Sequence, residues 1–131
     1  MATTTTLRTD FADHKDTYEA ALLSFFSGKA EDTEADLTKI CTPSFTLRDD
    51  EGTRDFPAFV AHIRWLREIL PAHAVSLTVT QFLRDGHQRA ERHTSQMDTG
   101  EGDVRRAETF MFVELAADGR FEKIVETVRQ F

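Results

Sequence analysis

Residues 104–131 read VRRAETFMFVELAADGRFEKIVETVRQF, and this stretch decides the fold. Residues 104–115 are strand-like, with apolar side chains on both faces. Asp118-Gly119 is a tight hairpin signal, and residues 121–131 carry Ile124, Val125 and Val128 in a returning strand. Upstream, Val75, Leu77, Val79 and Phe82 alternate as far as Asp85-Gly86. Residues 88–97 form a second, unusually polar strand, and residues 98–103, with two glycines, form a flexible turn. The C-terminal half therefore reads as a four-strand antiparallel meander.

The N-terminal half changes period. Phe11, Tyr18, Leu22 and Phe25 or Phe26 recur at helical spacing and predict a first helix over residues 10–26, capped by Thr9 or Asp10 and stopped near Gly28. A second helix is expected over residues 32–40, with Leu37, Ile40 and Cys41 on its buried side and Pro43 ending it. Residues 44–48 alternate as one short strand, with Phe45 and Leu47 on one face, before the turn Asp49-Asp50-Glu51-Gly52. The third helix has the clearest period: Phe56, Phe59, Val60, Ile63, Leu66, Ile69 and Leu70, closed by Pro71. Helices segregated from a meander give an α+β fold, with three N-terminal helices packed on one face of an antiparallel sheet. The other face would carry Phe110, Phe112, Phe121 and Val125. An apolar sheet face left in water invites association, so a second copy is expected to cover it, making a homodimer.

A chain of 131 residues is one domain's worth: residues 1–9, polar and threonine-rich, are expected to fray, and residues 10–131 form the domain. The net charge of −7 repels phosphate, which argues against nucleic acid and anionic membrane as partners. The lone Cys41 excludes an internal disulfide and a cysteine-based zinc site. No apolar run reaches the length of a membrane span, and residues 1–9 lack the apolar core of a signal peptide, so a cytoplasmic protein is expected. Eleven phenylalanines against one tryptophan and one tyrosine point to an apolar interior, an apolar pocket, a buried dimer face or a mixture of these.

Three patches resemble the NTF2-like superfamily, in particular its SnoaL-like and ketosteroid-isomerase-like branch. They are ICTPSFTLRD at 40–49 followed by Gly52, GHQRAERHT at 86–94, and FMFVE at 110–114 with DGRFEKIVE at 118–126. The resemblance covers residues 10–131. It implies a cone in which the curved sheet wraps a long helix, with a pocket opening between the helices and the concave face. Members include isomerases, aldol-type cyclases, epoxide hydrolases, dehydratases and non-catalytic carriers, so the site has to name the function.

The resemblance places Asp49 where ketosteroid-isomerase-like members carry a general base; Asp49-Asp50-Glu51-Gly52 also reads as a solvated turn. It places Arg92 and Glu126 where epoxide hydrolases carry an arginine and one of two acids. The second acid's position is Thr94, so the full triad is absent and an Arg92–Glu126 pair remains. That pairing needs Ala90, Arg92 and Thr94 to face inward. A register shifted by one turns Arg89, Glu91 and His93 inward and Arg92 outward. The isomerases' oxyanion tyrosine position lies nearer Ala21 than Tyr18, and their aspartic acid's position reads Met111. Tyr18 is expected at the pocket mouth or along the helix with its hydroxyl in water. His62 and Trp65 share a face of the third helix and are expected either at the pocket rim or at the border between helix and solvent.

No metal-ligand spacing, phosphate loop or nucleophile elbow occurs, and no cofactor is expected. The reading is a cofactor-free pocket enzyme doing acid–base chemistry on a small hydrophobic oxygenated compound: isomerisation, cyclisation, dehydration or ring opening. Asp49, Arg92 and Glu126 carry the chemistry. Tyr18, Phe25, Phe26, His62, Trp65, Thr94, Met111 and Val128 bind the substrate. The rival reading is a non-catalytic ligand-binding or dimerisation module.

Overall fold

The computed structural model describes residues 8–131; the Thr3–Thr6 run and the rest of residues 1–7 lie outside the described residues. Three α-helices, α1 (Lys15–Ser24), α2 (Thr33–Thr38) and α3 (Phe56–Ile69), pack on one six-stranded sheet. Its strands are β1 (Cys41–Asp49), β2 (Gly52–Asp55), β3 (Val75–Asp85), β4 (Gln88–Asp98), β5 (Val104–Leu115) and β6 (Phe121–Gln130). The strand order is β2-β1-β6-β5-β4-β3. The meander β3–β6 is antiparallel as the alternation predicts, and β1 forms an antiparallel hairpin with β2. The sheet is nevertheless mixed, because β1 runs parallel to β6.

The expected elements differ from the observed ones where local chemistry intervenes. The first helix is broken: a 3-10 turn at Phe11–Asp13 precedes α1, and His14 between them is extended. The second helix stops at Thr38, and Pro43 lies inside β1 rather than beyond a helix. A proline donates nothing to a ladder, and the β1–β6 register shifts between Cys41 and Thr46 around it. The single short strand is thus nine residues long. Its hairpin partner β2, Gly-Thr-Arg-Asp, has no apolar alternation by which a sequence could reveal it.

Helix α3 begins as its sequence dictates, with the Asp55 side chain accepting from the Ala58 N–H at 3.0 Å and Pro57 in the first turn. It buries Phe59, Val60 and Ile63, each worth roughly 1.5–3 kcal/mol of burial, against Phe25, Phe45 and the sheet. Its Arg67 guanidinium is fully buried and donates to the Ser24, Phe25 and Lys29 carbonyls and to Asp36. A cation on the terminal carbonyls of α1 fixes where Phe25 and Phe26 lie. The β3 bulge at Val79 is met by α1, whose Glu19 accepts from the Val79 N–H at 2.8 Å.

The sheet's outer face departs from strict alternation. Phe112 is 69% exposed and Phe110 38%, but Phe121 is fully buried against Phe11 and Tyr18. A register shift between Glu114 and Leu115 turns Phe121 inward, and Leu83 joins the outer patch instead. Arg8 and Thr9, expected to fray, are tied down: Arg8 pairs with Asp13 and the Thr9 N–H donates to the Asp118 carbonyl. Gly119, at φ +89°, lies so close under Thr9 that a Cβ would collide with its carbonyl. Among the described residues, no helix is long and apolar enough to cross a membrane.

Candidate active-site cavity

A cavity of about 230 Å³ opens between α1, α3 and the inner face of the sheet. Its wall is mostly apolar: Leu22, Phe25 and Phe26 from the first helix and the turn after it, Phe59, Ile63 and Leu66 from α3, and Leu77, Met111, Ile124 and Val128 from the strands. Polar groups line it as well. Asp49, Arg54 and His62 come from the β1–β2–α3 side, His93 and Ser95 from β4, Thr109 from β5 and Glu126 from β6. The volume lies just below the roughly 300 Å³ at which ligand pockets usually begin, which suits a one- or two-ring compound better than a four-ring one.

Strand β4 takes the shifted register. Arg89, Glu91 and His93 are buried, whereas Arg92 and Thr94 face outward, opposite Phe110 and Glu108. The proposed Arg92–Glu126 pair is therefore absent, and neither Arg92 nor Thr94 lines the cavity. Arg89 shows why. Its buried guanidinium donates to the carbonyls of Ala12, Gly86 and Gln88 at 2.6–2.8 Å and to Asp13 at 3.0 Å. A fully paired arginine is a sustainable buried cation, and a period-2 strand then turns Glu91 and His93 inward with it.

Glu91 is enclosed by two donors. The Tyr18 hydroxyl donates to its Oε1 at 3.0 Å, and His93 Nδ1 lies 2.9 and 3.0 Å from its two oxygens. Tyr18 is thus neither at the pocket mouth nor in water: it is fully buried, packed on Phe82 and Phe121, and does not line the cavity. Burial first, then the Glu91 charge, raises its phenol pKa well above the usual value.

Glu126 has no such support. It is half-buried, no hydrogen bond from a side chain or backbone group of the described residues reaches its carboxyl group, and, since no solvent-inaccessible side-chain oxygen there lacks a partner, that group stays open to the cavity it lines. Burial raises its pKa from 4.5 to about 7; His93 opposes the shift, while Asp49, Glu91 and Asp50 add to it. Asp49 also lines the cavity but is engaged as a turn cap. Its Oδ1 accepts from the N–H groups of Glu51 and Gly52, and its Oδ2 takes Arg54 Nη1 at 2.9 Å. His62 lines the cavity, and burial, then Arg54, lowers its pKa. Trp65 stacks near it, with ring centroids 6.1 Å apart, but is 52% exposed and outside the cavity wall.

Of the residues named from sequence, the structure gathers Asp49, Glu126, Phe25, Phe26, His62, Met111 and Val128 around one space. It leaves Arg92, Thr94, Tyr18 and Trp65 out. Arg54 was not singled out, since nothing in a four-residue polar strand marks it. Glu91 and His93 belonged to the other register, and Arg89 is the signal that selects it. Among the described residues, no cluster of three or more His, Cys, Asp or Glu side chains is placed to hold a metal ion.

No family model matches the chain, and no curated protein matches it. Solved structures do. A proposed isomerase of the SnoaL-like family from Agrobacterium tumefaciens superposes with a TM-score of 0.61 at 16% identity, over 87% of this chain and 92% of that one. An LEH-like epoxide hydrolase from M. tuberculosis gives 0.60 at 10% identity, over 92% and 84%. A proposed ketosteroid isomerase from Kribbella flavida gives 0.57 at 14% identity, over 89% and 81%. The chain has the NTF2-like fold of the SnoaL-like and ketosteroid-isomerase-like proteins.

Proposed function

We propose that the cavity is the active site of a cofactor-free enzyme that moves a proton on a small, mostly apolar, oxygenated compound. Isomerisation, cyclisation, dehydration and ring opening all fall within this chemistry. The observation that carries the reading is Glu126: a half-buried carboxyl group with no hydrogen-bond partner among the described residues, facing a mostly apolar cavity, its pKa pushed up to about 7 by burial. Such a group is half protonated near neutrality, so it can take a proton from carbon or return one without a large energetic mismatch. His93, two strands away on the same inner face, supplies the second polar contact, and the mostly apolar wall lowers the local polarity around both. Arg54, already paired with Asp49, lies at the cavity edge, where a ligand oxygen can share its remaining N–H groups.

Catalysed exchange of carbon-bound hydrogen for deuterium, followed by NMR over a panel of small cyclic ketones and β-diketones, tests this reading. The wild-type protein is expected to accelerate exchange in at least one member, and Glu126→Gln to lose it by roughly 10²–10⁴-fold. Saturable binding with no exchange across the panel would favour the non-catalytic binding module.

We also propose that a second copy covers the outer sheet face. Leu83, Ala90, Phe112 and Val125 form one row across four paired strands. Arg92 and Lys123 share that face with Glu108 and Glu114, so a two-fold stacking can lay cations against carboxylates around the apolar centre.

A further inference from the structure

The hydrogen bonds around His93 have a direction. Glu91 lies fully buried, and both of its neighbours are donors: the Tyr18 hydroxyl at 3.0 Å and the His93 ring at 2.9 Å. A carboxylate only accepts, so the His93 proton sits on Nδ1. The other ring nitrogen, Nε2, has no protein partner. Yet among the described residues no solvent-inaccessible side-chain nitrogen or oxygen lacks one. Nε2 of this 95%-buried histidine (5% exposed) therefore opens onto the cavity that His93 lines. A neutral imidazole with Nδ1 protonated presents a lone pair at Nε2, and a lone pair is matched by a donor.

We propose that Tyr18 and Glu91 lock His93 as the Nδ1–H tautomer, and that the cavity binds a small ring compound through an O–H group donated to His93 Nε2, a phenol or an enol rather than a bare ketone or ether. This deepens the acid–base reading of the same cavity and rests on it for its chemical setting. Tyr18 and Glu91 are positioning residues: neither lines the cavity, and both act through the histidine ring. The polarity is the reverse of an oxyanion hole, in which the protein donates. A ligand lacking the hydroxyl would leave Nε2 buried and unpaired, and that is the penalty by which a polar site rejects an isostere. Thr109 stands beside His93 in the ladder, and Ser95 on the same strand face, so a second ligand oxygen has hydroxyl partners close by.

Long-range proton–nitrogen correlation spectra of the wild-type protein at about pH 8 read the His93 tautomer without any ligand. The Nδ1–H form is expected; the Nε2–H form or an imidazolium would overturn the proposal. Titration with naphthol and with its methyl ether, which has the same rings and no donor, reads the ligand class. Naphthol is expected to bind roughly tenfold more tightly and to shift Nε2; equal or stronger binding of the ether would overturn it. Glu91→Gln can offer Nδ1 either an oxygen or an N–H, so the tautomer should become mixed and the naphthol preference should fall toward parity. Tyr18→Phe should loosen the lock less. Should either variant fail to fold, the wild-type spectrum and the ligand pair still decide. Loss of deuterium exchange in Glu126→Gln bears on the acid–base reading alone and the tautomer bears on this proposal alone, so the two fail separately.

Discussion

Glu126→Gln should make the protein more stable, and only above a definite pH. In the folded protein the carboxyl group has a pKa of about 7, against 4.5 for an unburied glutamate. Between those values the folded state holds a proton that the unfolded state has released, so stability falls as pH rises through the window. Below about pH 4.5 both states are protonated and the group costs nothing as a charge. Above about pH 7 the full penalty applies, and 2.5 pKa units correspond to about 3 kcal/mol. Glutamine has nearly the same shape and no charge. Its own packing and hydrogen-bonding difference from glutamic acid is independent of pH, and the comparison between two pH values removes it. Urea unfolding of both proteins at about pH 4 and about pH 8 should show the variant gaining about 3 kcal/mol between the two, with m unchanged. For a chain of this size that is an upward shift of roughly 10 °C in relative Tm. A constant difference between variant and wild type at the two pH values would refute the burial argument, and with it the proton-transfer assignment.

Asp49→Asn should separate turn from chemistry: losing the carboxylate that caps Glu51 and Gly52 and pairs with Arg54 should cost about 1 kcal/mol in urea unfolding and change deuterium exchange far less than Glu126→Gln does. Exchange lost as completely as with Glu126→Gln would return Asp49 to the catalytic position that the family resemblance implies. Phe112→Lys, at the centre of the outer row, should weaken self-association more than tenfold in sedimentation without lowering the unfolding midpoint of the monomer, because that ring is 69% exposed in the single chain. A wild-type protein that sediments as a monomer at high concentration would remove the second copy from the proposal.

What the sequence made legible follows from where one face of an element is apolar. Phe59, Ile63 and Leu66 mark α3, and Asp118-Gly119 marks the β5–β6 hairpin, because each pattern has a single physical solution. Strand β4 offers no such asymmetry. Arg89, Glu91 and His93 are more polar than Ala90, Arg92 and Thr94, so the usual rule that the greasier face goes inward points the wrong way. What settles the register is long-range: Arg89 finds its partners in Ala12 and Asp13, more than seventy residues earlier, and Glu91 finds Tyr18. Strand β2 was hidden for a different reason. It is four polar residues whose only structural warrant is pairing with β1. Glu126 could be named from its place after the hairpin, but its unpaired state could not, since that depends on Arg92 facing the other way.

The two glutamates of the inner face show how one sheet row can hold two chemistries. Glu91, Met111 and Glu126 are direct neighbours across β4, β5 and β6. Glu91 meets a hydroxyl and an imidazole N–H, and its negative charge is put to use holding a histidine in place. Glu126 meets an apolar wall and the distant repulsion of Asp49, Asp50 and Glu91, so its proton stays on to about pH 7. The methionine between them keeps the carboxyl groups apart, and its sulfur lies 3.8 Å from the Tyr18 hydroxyl, closing the Glu91 side against the cavity. A carboxylate at position 111 would place a third acid in the row and raise the proton affinity of Glu126 further. An arginine there would set a cation beside Glu126 and lower its proton affinity. An uncharged, polarisable side chain at 111 is therefore part of what holds Glu126 near neutrality, and the proposed base and the proposed histidine lock would both be consequences of one ladder register.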